Sequence, residues 1–170
     1  MVAQDLGRDS VYEVGDYYNR DGKEGIVFEV SDGGRHGKIL SLDEAYLQWC
    51  TNKQYYLEIV VKASSEVDGK YNTDKVMRRS DSNEYSAFVW CRDKGKDWYL
   101  PSKKELETIY KNRSKINQTL RAKNEEGLGT GYYWSSTELS EVGAWDVPEI
   151  YGNLEYYKYD YNYVRAVSAF

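Results

Sequence analysis

The chain has 170 residues, a length that suits one domain and lets folding bury enough surface to need no disulfide or metal staple. Its formal net charge of -5 argues against nucleic acid or an anionic membrane as partner, because both reward clustered Lys and Arg. The pairs Arg78–Arg79 and Lys103–Lys104 read as solvated faces, and the apolar runs fall far short of the roughly 20 residues that a membrane span needs.

From the start of the chain, "MVAQDLGRDS" is too polar for a signal peptide, so either none is made or a leader precedes it. "SVYEVGDYY" and "EGIVFEVS" read as strands joined by a turn at Asp21–Gly22. Asp32–Gly33–Gly34 gives a second turn, followed by a short strand in "KILSL". "LDEAYLQWC" reads as either a helical turn or a strand end. From Thr51 to Arg79 the pattern is weak, with Asp68–Gly69 and Asn72–Thr73 as turn cues, and an extended excursion is expected. Ser82 is placed to cap a helix through about Lys94, with Tyr85, Phe88, Val89 and Cys91 at helical spacing and Gly95 ending it. Ser102 and Glu105 form a capping box, and Leu106, Ile109 and Tyr110 mark the buried stripe of the next helix. Its pattern weakens at Asn112–Arg113–Ser114 and resumes with Ile116 and Leu120. Beyond the loop "NEEGLGTG" the helical period is lost. "GYYWSSTE", "GAWDVPE", "LEYYKYD" and "NYVRAVSAF" read as short strands. Strands, two helices and strands again make an α+β chain.

Two compositional features bear on function. Cys50 in "LQWC" and Cys91 in "FVWC" sit beside aromatics and read as small buried hydrophobes, with a bridge between them left open. Zinc is not expected, since the one histidine, His36, lies in a turn and no Cys/His spacing fits. Second, 18 tyrosines stand against 3 phenylalanines. A core favours Phe at least as much, because a buried hydroxyl must find a partner, so the excess points outward. Tyrosine also gives a rigid, large contact area at low entropic cost.

Motifs for serine nucleophiles, phosphate-cradling loops and HExxH zinc sites are absent, so no catalysis and no cofactor are expected. Glu138, Glu141, Asp146, Glu149 and Asp160 read as polar surface, without the spacing of a calcium loop.

The words "DWYLPSKKELETIY", "YYWSSTE", "AWDV" and "YVRAVSAF", in that order, resemble the variable proteins of diversity-generating retroelements, in the branch of gut Bacteroides-type bacteria and their phages. The resemblance covers nearly the whole chain. It implies a C-type lectin-like fold, distantly similar to the phage major tropism determinant and to formylglycine-generating enzymes. That fold has two helices packed with short, mostly antiparallel strands. It also implies one domain over residues 1–170 with a variable ligand-binding region at 133–163.

In such systems template adenines are copied as any base, and AAC codons are favoured targets. Keeping the final C reaches Tyr, Asp, Ser, Gly, Val, Leu, Pro, Ile, His, Arg, Phe and Ala, but never Glu, Lys, Gln, Met or Trp. Between the fixed words stand Leu139, Ser140, Val142, Gly143, Asp146, Pro148, Tyr151, Tyr156, Tyr157, Tyr159, Asp160, Tyr161 and Asn162, all of an accessible type. The resemblance implies that these bind ligand. Ile150 and Leu154 are accessible too. Glu141, Glu149 and Glu155 interrupt the pattern, and Trp134, Trp145, Lys158 and Arg165 are expected as scaffold together with Tyr133 and Tyr163.

Strand alternation lets Tyr157, Tyr159 and Tyr161 be displayed together, with Asp146 and Asp160 giving polar specificity and Gly143 and Pro148 shaping loops. The blander reading is a half-exposed sheet merely covered by tyrosines. The expected function is receptor-like binding of a protein or other macromolecule, at a cell surface or on a virion. The alternative is a carbohydrate-binding lectin or adhesin, although Glu-Pro-Asn and Trp-Asn-Asp sugar motifs are absent. Enzymatic formylglycine chemistry is disfavoured, because Cys50 and Cys91 do not stand in matching context.

Overall fold

The structure is a computed structural model that describes residues 10–148 and 156–170. Its first hairpin pairs β1 (Tyr17–Arg20) with β2 (Lys23–Ser31), Arg20 opposite Lys23, so Asp21–Gly22 is a two-residue loop. Both loop residues have positive φ, +53° and +74°, the combination whose twist matches the flanking strands and the reason Asp-Gly suits the position. β3 (His36–Leu40) pairs with β2, and β9 (Val167–Ala169) with β3, all antiparallel, giving the order β1-β2-β3-β9.

The second sheet gathers β4 (Ala45–Gln48), β5 (Tyr133–Glu138), β6 (Gly143–Val147), β7 (Tyr156–Tyr157) and β8 (Tyr161–Val164), in the order β4-β8-β5-β6-β7. "AYLQ" is thus a strand. β5 meets β8 in parallel at Tyr133–Tyr163, and the other pairings are antiparallel. The chain crosses between sheets from β8 to β9. Arg165, buried at that crossing, donates to the carbonyls of Ser41 (3.1 Å) and Leu42 (2.6 Å) and to the Glu44 carboxylate (2.9 Å), which fixes the step.

The α+β class holds, but the helix count is corrected. Among the described residues there are five α-helices rather than two: α1 (Asn52–Tyr55), α2 (Gly69–Met77), α3 (Ser86–Asp93), α4 (Lys103–Lys111) and α5 (Arg113–Ala122). α2 replaces part of the expected extended excursion. Asp68–Gly69 is the start of this helix, not a turn: the Asp68 carboxylate accepts from Tyr71 N at 2.8 Å. Gly69 stands there because a Cβ would lie 2.5 Å from Leu100 O and 2.6 Å from Ser102 N. The amphipathic signal is blurred by buried Asn72 and Thr73. Asn72 donates to Ser65 O (2.7 Å) and Ser136 Oγ (3.0 Å), and Thr73 Oγ1 accepts from Leu100 N (3.1 Å).

α3 begins after a short 3₁₀ turn at Ser82–Glu84, and Ser82 makes no cap bond to it. The capping box at Ser102 and Glu105 is formed in both directions, and the weakened pattern at Asn112 is the break between α4 and α5.

One apolar cluster gathers Trp49, Phe88, Trp134 and Val164 with both cysteines, and a second gathers Ile26, Phe28, Leu106, Ile109, Ile116 and Val147. Cys50 and Cys91 are free and buried, so the bridge left open by the sequence is not formed. Burial pushes the Cys50 thiol up to about 12, which leaves it unionised at neutral pH. Among the described residues no helix is long and apolar enough to cross a membrane.

Candidate functional site

The tyrosine-rich segment is mounted on the end of the second sheet by main-chain bonds. A tight turn, Asp160 N to Tyr157 O at 2.8 Å, joins β7 to β8. Lys158 N donates to Val142 O (2.9 Å), and Lys158 O accepts from Cys50 N (3.0 Å). The Lys158 side chain runs inward and is fully buried. Its ammonium pairs with Glu138 at 2.8 Å, donates to Glu141 O at 3.1 Å and sits 4.8 Å over the Trp49 ring. Glu138 completes its set by accepting from Val61 N (2.9 Å) and Lys62 N (2.8 Å). A buried charge requires such pairing.

With Lys158 inside, its neighbours face outward. The Tyr157 and Tyr159 rings stack 5.7 Å apart at 7°, and Tyr55 of α1 makes T-shaped contacts with both, at 6.0 and 4.5 Å. Along β8, Tyr161 lies opposite Gln48 and Tyr163 opposite Tyr46. The Tyr46 ring lies 5.7 Å from that of Tyr161 and 5.1 Å from that of Tyr163, which in turn contacts buried Tyr133 at 5.5 Å. Two groups of rings therefore stand side by side, one running from buried Tyr133 through Tyr163 and Tyr46 to Tyr161, the other gathered on Tyr55. In the first group Tyr46 is 58% exposed and Tyr161 52%, and in the second Tyr56 is 74% exposed and Tyr157 43%.

Of the residues marked by the sequence, Leu139, Tyr157 and Tyr161 are exposed, and Ser140, Val142, Pro148, Tyr156, Tyr159 and Asp160 are half-buried. Ser140 Oγ accepts from Val142 N (3.2 Å) and Gly143 N (3.0 Å), closing the β5–β6 loop on itself. Tyr156 lies against the Tyr132 ring at 5.1 Å. Gly143, Asp146 and Asn162 are buried: Asp146 is 3% exposed and accepts from Asn162 Nδ2 at 3.0 Å. The expectation that Asp146 offers polar specificity at the surface is corrected by this pairing, which turns both side chains inward. Tyr151, Ile150, Leu154, Glu149 and Glu155 lie outside the described residues.

Trp134, Tyr133 and Arg165 are buried and Tyr163 half-buried, as framework requires. Half-buried Trp145 carries the Lys103 ammonium over its ring at 3.7 Å. No motif marks Tyr46, Tyr55 and Tyr56 as members of this surface, because they stand about 100 residues or more before the tyrosines they join. Their one sequence signal was the tyrosine excess itself. Among the described residues no group of three or more His, Cys, Asp or Glu converges to hold a metal.

No protein-family model matches the chain, and no curated protein matches its sequence. Among solved structures the chain is similar to a fimbrial protein from Bacteroides ovatus ATCC 8483, with a TM-score of 0.64 and 16% identity. The match covers 94% of this chain and 49% of that one, so the chain spans about half the length of that protein. At this identity the likeness is one of fold.

Proposed function

We propose that the chain is a non-enzymatic, receptor-like binding protein that presents its tyrosine-rich face to a protein or other macromolecular ligand. One observation carries the reading: around the turn from β7 to β8, Tyr157 and Tyr161 are exposed and Tyr159 half-buried, while Lys158 and Asn162 point inward and anchor the segment. That reverses the arrangement of a strand built for a core. The fold likeness to a protein described as fimbrial, from a Bacteroides species, fits display at a surface. The sequence resemblance supports the finer assignment, a C-type lectin-like variable protein whose surface is rewritten by a retroelement. On this reading the exposed and half-buried marked positions contact ligand, and buried Asp146 and Asn162 hold the frame.

A display surface and a structural sheet cover differ in what truncation does. Tyr157→Ala and Tyr161→Ala are expected to change stability by no more than about 0.5 kcal/mol each in urea unfolding, as exposed positions do. A loss of about 2 kcal/mol or more at either position would assign the rings to the scaffold instead. A glycan array read with and without calcium tests the carbohydrate-binding alternative, which predicts defined sugar hits lost on chelation.

A further inference from the structure

We infer that the recognition face has a constant half, built by Tyr46, Tyr55 and Tyr56, which binds the uncharged part of a folded protein's surface whatever residues occupy the half at Tyr157–Tyr161. The inference rests on the reading of this face as a recognition surface and adds residues that no motif marked.

The two halves are one surface. Tyr55 touches the rings of Tyr157, Tyr159 and Tyr56, the last at 5.2 Å, and Tyr46 touches those of Tyr161 and Tyr163. Their joint does not depend on the side chains of the β7–β8 turn. Gln48 Nε2 donates to the carbonyl of Tyr159 at 2.7 Å, and Cys50 N to the carbonyl of Lys158 at 3.0 Å. Any residue at position 159 keeps its carbonyl, so the constant half stays in register with the other through substitution there.

The mount is also stiff. Thr51 caps α1, accepting from Gln54 N at 3.3 Å, and Thr51 N donates to Glu84 O at 2.8 Å. Buried Gln54 donates to Asp81 (2.8 Å) and to the Tyr85 hydroxyl (2.9 Å). Tyr46 is fixed opposite Tyr163 within the sheet. A rigid aromatic loses little freedom on binding, which is what makes tyrosine an effective anchor.

The chemistry of the partner follows from charge. The six rings and the adjoining Gln48 and Asn52 side chains carry no charge at neutral pH. Beneath them Lys158 and Glu138 neutralise each other in the interior; at the margin Lys53 is paired with Glu84 at 3.3 Å, and the remaining charges are acidic, half-buried Asp160 between Tyr159 and Tyr161 and exposed Glu58 near Tyr55. Such a face, whose unpaired charges are acidic, repels a polyanion or an acidic glycan. It fits an epitope of backbone amides, hydroxyls and apolar atoms, the mixed composition of ordinary protein–protein contacts.

The test is a phage-displayed library of the full chain, with Leu139, Ser140, Val142, Tyr157, Tyr159 and Tyr161 randomised to AAC-accessible residues. It is selected in parallel on hen egg-white lysozyme and on yeast mannan. Binders to lysozyme with unrelated variable residues are expected to lose roughly 10-fold or more in affinity on Tyr56→Ala and on Tyr46→Ala, the scale of an interface anchor. The factor lost on Tyr56→Ala is expected to be the same within about 3-fold at 50 and 500 mM NaCl, since a tyrosine contact holds no charge for salt to screen. Thermal melts of the same clones separate a lost contact from a lost fold, and Tyr56, the most exposed ring, gives the cleaner variant. Lysozyme binders indifferent to both substitutions overturn the constant half while leaving the recognition reading intact. Binders on mannan alone overturn the protein partner. A library with no binders on either target overturns the recognition reading itself.

Discussion

Lys158 shows how one buried charge fixes what its neighbours do. Its ammonium and the Glu138 carboxylate are both withdrawn from water, and each has other partners besides the pair itself. Removing one member of such a pair leaves an uncompensated charge, at a cost of about 3–5 kcal/mol. Lys158→Ala is therefore expected to lower stability by about that much in urea unfolding. The double variant Lys158→Met, Glu138→Gln is expected to lose less than the sum of its two single variants. Additive losses would show that the two groups are not coupled.

A second carboxylate ties stability to pH. The Arg79 guanidinium makes two hydrogen bonds of 2.8 Å to Asp81 and holds its carboxyl below the usual value of 3.8. The folded state binds that proton less readily than the unfolded chain does. The stabilisation is thus present above the unfolded value and is lost as pH falls through the folded one. Asp81→Asn is expected to flatten the decline of the urea midpoint below about pH 4, while lowering the midpoint at neutral pH. An unchanged acid limb would remove Asp81 from the account.

At the scale of elements, the capping box of α4 was fully legible because its signal is local: two residues three apart, each satisfying a backbone N–H of the other. What spacing did not reveal is that Glu105 works across the molecule. Its carboxylate also accepts from Gly69 N (3.1 Å) and the Tyr99 hydroxyl (2.9 Å) and pairs with Lys38 (3.1 Å), joining α4 to α2 and the first sheet. Ser102→Ala is expected to cost about 1 kcal/mol, as an N-cap does. Glu105→Ala is expected to cost about 3 kcal/mol or more, because several buried donors then lack a partner. Equal losses in thermal or urea unfolding would reduce Glu105 to its capping role. The same reasoning explains why no local pattern marks α2. Its N-terminal glycine is dictated by Leu100 and Ser102, and its buried Asn72 and Thr73 are polar because they bond to other segments. The helix is specified by neighbours distant in sequence, so a local pattern could not announce it.

At the scale of the molecule, the candidate face joins β4 and α1 to the turn between β7 and β8, segments separated by some 100 residues of chain. The proposed diversification predicts a boundary within that face. The codons of Leu139, Ser140, Val142, Tyr157, Tyr159 and Tyr161 are expected to end in C and to align with AAC in a near-copy repeat beside a reverse transcriptase gene. Those of Tyr46, Tyr55 and Tyr56 are expected to have no counterpart in that repeat. Sequencing the gene and its flanks checks both, and the absence of the repeat would end the diversification claim.

What the sequence determined by itself was whatever depends on neighbours along the chain. The Asp21–Gly22 hairpin, the Ser102–Glu105 cap, the break at Asn112 and the short C-terminal strands each carry their cause within a few residues. The tyrosine excess pointed outward only in part: Tyr46, Tyr56, Tyr71, Tyr157 and Tyr161 are exposed, while Tyr18, Tyr85, Tyr99 and Tyr133 are buried, the hydroxyls of Tyr85, Tyr99 and Tyr133 on hydrogen-bond partners. Tertiary structure alone decided which side each residue faces and what it meets there. It turned Asp146 and Asn162 inward as a hydrogen-bonded pair and buried Lys158 on Glu138. It also brought Tyr46, Tyr55 and Tyr56 to the tyrosines of the last strands. The physical reason is that a buried polar group must find its partner in space, and that partner need not be near it in the chain.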